Sequence, residues 1–143
     1  MNLGYRKLNE FLSIEEKQKF LRQAEFGEWI NHKSTVTGKP SSLYFLPVKY
    51  KNYERVSLMK MEPNAVQDWH VDGSRKCVLI YPLTDNYAKG YTRNYDLIES
   101  YEGVVLLDVT KEHAVFNNEH TRINLQISFN EPMEEIWPTF FKN

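Results

Sequence analysis

The chain has 143 residues, of which 41% are hydrophobic, 26% charged and 14% aromatic, and its formal net charge is −1. This composition is typical of one globular domain with a single core. Acidic and basic residues are interspersed, which excludes a basic surface for nucleic acid, and no apolar run is long enough to cross a bilayer. The single cysteine, Cys77, excludes an internal disulfide framework. It favours a reducing compartment, and we predict the cytoplasm.

The first third of the chain is predicted to be helical. Ser13 and Glu16 stand at the spacing of a capping box. Phe20 and Ala24 then fall on one helical face, as expected for a helix that packs on a core. A connector rich in turn residues follows. We therefore assign residues 1–41 to an N-terminal helical segment with its connector.

From residue 42 the pattern changes to short apolar segments separated by Asn, Gly, Pro and Asp. Strands are predicted at residues 42–48, 55–61, 66–72, 76–83, 91–98, 103–109, 113–118 and 122–130. Strands at this spacing favour a closed or double-sheet β core, here residues 42–130, with the helix packed outside. Residues 131–143 are predicted to form an irregular tail of the same single domain.

The stretch WHVDG at residues 69–73 places a histidine and an aspartate two positions apart. Since side chains alternate between the faces of a strand, His70 and Asp72 share one face, and Trp69 and Val71 share the other. The apolar pair can pack while the polar pair faces a cavity. On its own the polar pair is also compatible with a strand that simply ends beside a turn. The surrounding sequence therefore has to distinguish a binding site from a strand end.

A second polar set lies 43 residues after His70, in KEHAVFNNEHTRINLQISFN. His113 begins a short strand, and a tight connection leads to a longer one in which polar and apolar residues alternate. The polar face of that strand consists of Arg122, Asn124, Gln126 and Ser128. A polar face that points into a β core needs a function, because unpaired buried polar groups are costly.

Two imidazoles and one carboxylate form the facial triad of non-haem Fe(II) oxygenases. Three such ligands leave metal positions open for a chelating cosubstrate and for dioxygen. An arginine nearby can bind a distal carboxylate through its planar two-pronged fork. His70, Asp72, His113 and Arg122 are therefore predicted to form one site.

The motifs HVDG, HAVFNNEHTR and INLQISF resemble the Fe(II)/2-oxoglutarate-dependent oxygenases. The pattern of that superfamily is His-x-Asp/Glu, a distal His, and a basic residue nine or ten positions later. Arg122 lies nine positions after His113. The resemblance covers about residues 55 to 130. It implies a double-stranded β-helix, that is, a jelly-roll or cupin-like fold.

The resemblance also implies the roles of the site residues. His70, Asp72 and His113 would bind Fe(II), and Arg122 would bind the 5-carboxylate of 2-oxoglutarate. Asn124 stands where the family often has serine and could still form a hydrogen bond in the pocket, and Tyr81 could donate one to 2-oxoglutarate. The implied reaction consumes O2 and 2-oxoglutarate and hydroxylates an unactivated C–H bond.

Within the superfamily, the residues around His113 look most like the aspartyl/asparaginyl β-hydroxylase-like branch, which has an H-x-V-x-N run. The chain departs from that branch at Asp72, because the carboxylate ligand is commonly missing there. The departure bears on the class of substrate and not on the metal site.

Two other functions stay open. The first is a cupin-like metalloprotein, such as an isomerase or direct dioxygenase, which would not use 2-oxoglutarate and would not need Arg122. The second is a non-catalytic metal-binding module. No motif specifies an oligomeric state or a substrate, for which we predict a small molecule or a protein side chain. Four residues are candidates for substrate contact without being assigned to it, namely Asp68, Tyr91, Arg93 and Tyr95.

Overall fold

The computed structural model describes residues 4–34, 37–84 and 88–141. Within these ranges the elements in chain order are β1 (Tyr5–Lys7), α1 (Ile14–Phe26), β2 (Ile30–Lys33), β3 (Pro40–Pro47), β4 (Val56–Met61), β5 (Val66–His70), β6 (Cys77–Pro82), β7 (Lys89–Asn94), β8 (Leu97–Tyr101), β9 (Val105–Asp108), β10 (His113–Phe116), β11 (Arg122–Phe129) and α2 (Met133–Phe141). None of the described helices has the length and apolarity needed to span a membrane.

The strands form two antiparallel sheets. The larger sheet has the order β1-β9-β6-β11-β4-β3-β2, and the smaller has the order β5-β10-β7-β8. From β4 onward the chain passes repeatedly between the sheets, and this alternation is the topology of a double-stranded β-helix. The predicted fold is confirmed.

The two faces of the larger sheet have different partners, as the alternation along β11 predicts. Leu125 and Ile127 are buried in one cluster with Phe20 and Ala24 of α1, on the outer face. Ser13 and Glu16 form the predicted capping box, which fixes where α1 begins. The opposite face of the sheet turns toward the smaller sheet, and a second buried cluster lies between them, consisting of Val78, Ile80, Tyr101, Val105, Leu107 and Val109.

The structure differs from the sequence-based prediction in the region of residues 91–98. This segment is not one strand, because the turn between β7 and β8 falls within it. Tyr95 adopts a φ of 58°, a conformation that favours glycine or asparagine. A tyrosine at this position therefore does not predict a turn. The hairpin it forms extends β8 to Tyr101, which therefore lies in a strand and faces the space between the sheets.

The chain termini are also more regular than predicted. β1 pairs with β9, a partner far away in the sequence, and β2 pairs with β3, the next strand along the chain. Residues 133–141 form α2 although Pro138 lies inside it, and Met133 and Trp137 pack against the core. Burial of these apolar side chains outweighs the weak local preference for a helix.

The close pairing of β7 with β8 depends on Gly90. It lies directly opposite Tyr101, and a Cβ atom at Gly90 would come within 2.2 Å of the tyrosine ring. Gly90→Ala is therefore expected to lower the free energy of unfolding by about 1–3 kcal/mol, the usual cost of overpacking. Denaturant unfolding measures this change.

Gly73→Ala is the matched control, because a Cβ atom at Gly73 would meet no atom within 4 Å. Its stability should stay within about 0.5 kcal/mol of wild type. Equal stability of the two variants would mean that the ring of Tyr101 is not held against Gly90.

Candidate active site

His70 and His113 meet because their strands are neighbours. His70 ends β5, His113 begins β10, and the two are directly paired across the antiparallel ladder. Opposite residues in such a ladder share a face and lie close together. The centroids of the two imidazole rings are accordingly 4.2 Å apart, inside the space between the sheets.

Asp72 completes this group from the connection that follows β5. Its backbone N–H donates to the carbonyl of Val109 at 3.0 Å, which fixes the connection against the neighbouring loop. Its Oδ1 atom lies 3.3 Å from Nε2 of His70 and 3.6 Å from Nε2 of His113. The three candidate ligand atoms all lie within 4.8 Å of one another, which is close enough for one metal ion to contact all three.

Both imidazoles are oriented by their second nitrogen. Nδ1 of His70 lies 2.6 Å from the carbonyl oxygen of Asp68, and Nδ1 of His113 lies 2.9 Å from that of Lys111. A carbonyl can only accept, so each Nδ1 carries a hydrogen and each Nε2 faces Asp72. A metal would bind at Nε2, which gives up any proton shared with Asp72 when the metal binds. This arrangement is how proteins fix metal-binding histidines.

Asp72 supplies the negative charge among the three candidate ligands and affects the pKa of its neighbour His70. Burial acts to raise the pKa of Asp72, but hydrogen bonds from His113, His70 and Arg75 outweigh it and hold the pKa well below its usual range. The hydrogen bond to Asp72 conversely raises the pKa of His70, against the opposing effect of burial. Asp72 is therefore an ionised carboxylate, which is the protonation state that a metal ligand requires.

Arg75 is a neighbour of this group that the sequence-based prediction missed. Its Nε donates to Oδ2 of Asp72 at 2.7 Å, and its Nη1 donates to Ser128 at 2.9 Å and to Gln126 at 3.3 Å. The spacing of three residues from Asp72 across a turn could have indicated the first contact. The contacts with β11 could not be read from the sequence, because they depend on how the two sheets pack.

Arg122 and Asn124 point into the same space from β11, as predicted. Their side chains are almost fully buried, with residue exposures of 8% and 2%. Nε of Arg122 and Oδ1 of Asn124 have no hydrogen-bond partner in the described part of the chain. The hydroxyls of Tyr101 and Thr92 are also buried without a partner there, although neither residue was predicted to belong to the site.

Tyr101 lies near enough to both Arg122 and Asp72 for their charges to affect its pKa. Burial raises the pKa of Tyr101 to about 12, while the charge of Arg122 lowers it and the charge of Asp72 raises it. Burial in turn lowers the pKa of Arg122. Both effects are those expected of a guanidinium and a phenol that are buried away from water.

Unpaired buried groups of this kind cost about 1–3 kcal/mol each, and more when charged. A ligand with a carboxylate could accept hydrogen bonds from both Arg122 and Tyr101 and offset that cost. A dicarboxylate whose other end chelates a metal at His70, Asp72 and His113 therefore fits the residues that are present.

Tyr81 is a correction to the predicted site. It is paired with Leu125 in the larger sheet and so lies on the outer face, whereas Asn124 lies on the inner face. Its hydroxyl accepts the backbone N–H of Leu12 at 3.2 Å and packs with the residues under α1. The error comes from the turn after Asp72, which resets the alternation of inward and outward residues.

The remaining candidates lie around the site. Asp68 contributes its carbonyl, as described above, while its side chain accepts the N–H of Trp69. The guanidinium of Arg93 stacks on Trp69 at 4.8 Å and forms an ion pair with Glu112 at 3.2 Å. Tyr91 packs edge-on against Phe116.

A groove of about 550 Å³ opens at the surface beside the turn between β7 and β8. It is lined by Arg93, Asn94, Tyr95, Lys111 and Glu112. Tyr95 is 92% exposed at the tip of the β7–β8 hairpin. Of the substrate-contact candidates, Arg93 and Tyr95 therefore line a concave surface, and His70, Asp72 and His113 do not line it.

No protein-family model matches the chain, and no curated protein sequence matches it. Solved structures do share its fold. A prolyl hydroxylase from Trichoplax adhaerens, in complex with a hypoxia inducible factor oxygen degradation domain peptide fragment, has a TM-score of 0.67 at 12% identity over 89% of this chain and 84% of that chain. A prolyl-4-hydroxylase from Pseudomonas putida has a TM-score of 0.66 at 13% identity over 90% of this chain and 93% of that one.

A less similar structure is the capsular polysaccharide assembling protein CapF from Staphylococcus aureus, with a TM-score of 0.50 at 15% identity over 73% of this chain and 29% of that chain. At such low identities the likeness establishes the fold alone. The chain has the double-stranded β-helix of the prolyl hydroxylases, with a His-Asp-His group inside it. Assignment to the aspartyl/asparaginyl branch is not supported by these neighbours and stays a prediction.

Proposed function

We propose that the protein is an Fe(II)- and 2-oxoglutarate-dependent dioxygenase that hydroxylates an unactivated C–H bond. One observation carries the proposal. The converging ligand atoms of His70, Asp72 and His113 face the space between the sheets. In the described part of the chain, the buried Nε of Arg122 and hydroxyl of Tyr101 have no hydrogen-bond partner there. The His-Asp-His group suits a metal ion, and the buried donors of Arg122 and Tyr101 suit a carboxylate. Iron together with 2-oxoglutarate would satisfy both groups.

The metal would be held by Nε2 of His70, Nε2 of His113 and a carboxylate oxygen of Asp72. Two neutral imidazoles and one carboxylate are the ligand set of non-haem Fe(II) oxygenases, and three protein ligands leave positions open. When bound, iron and 2-oxoglutarate supply the oxidising chemistry, in which O2 is consumed and 2-oxoglutarate is converted to succinate and CO2.

The protein's own contribution is binding, orientation and exclusion of water. Arg122 would bind the far carboxylate through two parallel N–H bonds, with the hydroxyl of Tyr101 as a further donor. Asn124, which is buried beside them on β11, would hydrogen-bond in the same pocket. Because these groups are nearly inaccessible to solvent, the charge-assisted bonds would be stronger than at a surface.

The substrate is proposed to dock in the groove lined in part by Lys111 and Glu112, the two residues that precede His113. Arg93, Tyr95 and Lys111 offer two cations and an aromatic ring there, next to the acidic Glu112. A mixed, open groove suits a protein side chain presented on a peptide, or a small polar molecule. The peptide complex of the Trichoplax adhaerens enzyme supports the first choice.

A cupin-like metalloprotein that does not use 2-oxoglutarate is the second candidate. The His-Asp-His group is compatible with it, and CapF supports the broader fold. It gives no reason for a buried arginine whose Nε lacks a partner among the described residues.

Purified protein supplied with Fe(II), ascorbate, O2 and 2-oxoglutarate is expected to form succinate slowly without added substrate, because these enzymes turn over their cosubstrate uncoupled. Omission of iron or 2-oxoglutarate should remove the signal. His120→Ala should keep it, since His120 lies on an exposed loop outside the site. Bound iron without succinate formation or 2-oxoglutarate binding would favour the cupin-like candidate.

A further inference from the structure

We infer that Arg75 is a positioning residue that selects which oxygen of Asp72 is offered to the metal. This inference rests on the metal site of the proposed function. The two carboxylate oxygens of Asp72 have different neighbours. Oδ1 faces both histidine Nε2 atoms, at 3.3 and 3.6 Å, while Oδ2 accepts a hydrogen bond from Nε of Arg75 at 2.7 Å. The carboxylate is thereby held for binding through one oxygen.

Arg75 can impose this orientation because it is itself fixed. Its Nη1 donates to the hydroxyl of Ser128 and to the side-chain oxygen of Gln126, both on the inward face of β11. The guanidinium is planar, so bonds at two of its nitrogens determine its whole orientation. Asp72 is thus linked through Arg75 to a strand of the opposite sheet.

The link also accounts for the length of the polar face on β11. Arg122 and Asn124 occupy its first half and serve the proposed cosubstrate. Gln126 and Ser128 occupy its second half and contact Arg75. Polar side chains directed between two sheets are costly unless they are paired, and Arg75 pairs with the second half.

Two effects of Arg75 on the metal oppose each other. Its positive charge repels a cation at the site, which weakens metal binding. Its hydrogen bond keeps the carboxylate in position, which strengthens binding, and partners of this kind typically contribute 10- to 100-fold in affinity. Positioning is the larger effect, because Arg75 has a second, independent attachment on β11.

The test measures Co(II) binding to metal-free protein, since Co(II) reports both affinity and ligand geometry in its visible absorption. Arg75→Gln should bind Co(II) roughly 10- to 100-fold more weakly and show an altered spectrum at saturation. Arg75→Lys keeps the charge but cannot reach Asp72 and β11 together. Its affinity for Co(II) should therefore lie between those of wild type and Arg75→Gln. Ser128→Ala, which removes only an attachment of Arg75, should weaken binding less but in the same direction.

Arg55→Gln is the matched control. Arg55 donates to the carbonyl of Ser74 in the same loop and to Asn130, and among the described residues it forms no hydrogen bond with Asp72. Its affinity and spectrum should stay near wild type. Thermal melts establish that each variant is folded, and if Arg75→Gln does not fold, Ser128→Ala decides the question.

Unchanged affinity and spectrum in folded Arg75→Gln and Ser128→Ala would overturn the inference. Tighter binding by Arg75→Gln, with Arg75→Lys like wild type, would also overturn it, because charge repulsion would then be the larger effect. A wild-type protein that binds neither Co(II) nor Fe(II) would instead overturn the proposed function, and this inference with it.

Discussion

Replacing His113 with alanine is expected to abolish tight Fe(II) binding. The substitution removes one of three protein ligands, and with it both a metal bond and the facial geometry. We expect a loss of more than about 100-fold, since loss of an outer partner alone costs up to that much. His70→Ala and Asp72→Ala should behave alike. Titration of metal-free protein with Fe(II) under anaerobic conditions, against a competing chelator, measures the effect.

His120→Ala is the control for this series. His120 is the nearest other histidine in the sequence, but it lies on the exposed loop before β11, beside Glu119. Its removal should leave Fe(II) affinity unchanged. If His120 mattered as much as His113, the pairing of β10 with β5 that brings His113 to His70 would be wrong.

Replacing Arg122 with alanine is expected to separate the two ligands of the site. Fe(II) affinity should stay near wild type, because Arg122 is not a metal ligand. Binding of 2-oxoglutarate should weaken by roughly 2–4 kcal/mol, the cost of truncating one partner of a buried charge pair, or about 30- to 1000-fold. Arg122→Lys should recover part of this loss, since it keeps the charge but not the two-pronged fork.

Calorimetric titration with 2-oxoglutarate, on metal-loaded protein without O2, gives these affinities. Arg93→Ala serves as the comparison, because Arg93 is paired with Glu112 and stacked on Trp69 on the outer surface. That variant should bind 2-oxoglutarate like wild type. A folded Arg122→Ala protein with undiminished affinity would remove the cosubstrate from the proposal and leave only the metal site.

Short-range patterns in the sequence predicted much of the fold and the candidate site. Alternation within β11 placed Arg122 and Asn124 on one face, and the capping box at Ser13 placed the start of α1. The motif around His70 and His113 identified side chains that strand pairing then brings together. These inferences hold because each depends on a few neighbouring residues.

The residues that the sequence pattern misplaces or does not indicate depend on turns or on contacts between distant parts of the chain. The sequence pattern places Tyr81 on the wrong face, because the turn after Asp72 changes the alternation of inward and outward residues. It does not indicate Tyr101, because Tyr95, at the turn between β7 and β8, is not a residue type that predicts a positive φ. Arg75 was overlooked because its partners on β11 are 51 and 53 residues away in sequence. Such contacts are decided by the packing of one sheet on the other, which no local pattern specifies.

The position of β11 has a consequence for synthesis on the ribosome. β11 is the last strand of the described chain, yet it lies between β4 and β6, near the middle of the larger sheet. Until it emerges, β4 and β6 each lack a hydrogen-bonded neighbour on one side, and unpaired strand edges of this kind can pair with other chains. The sheet must therefore close after most of the chain has been translated. The pocket between the sheets, to which β11 contributes Arg122 and Asn124, is completed only at that step.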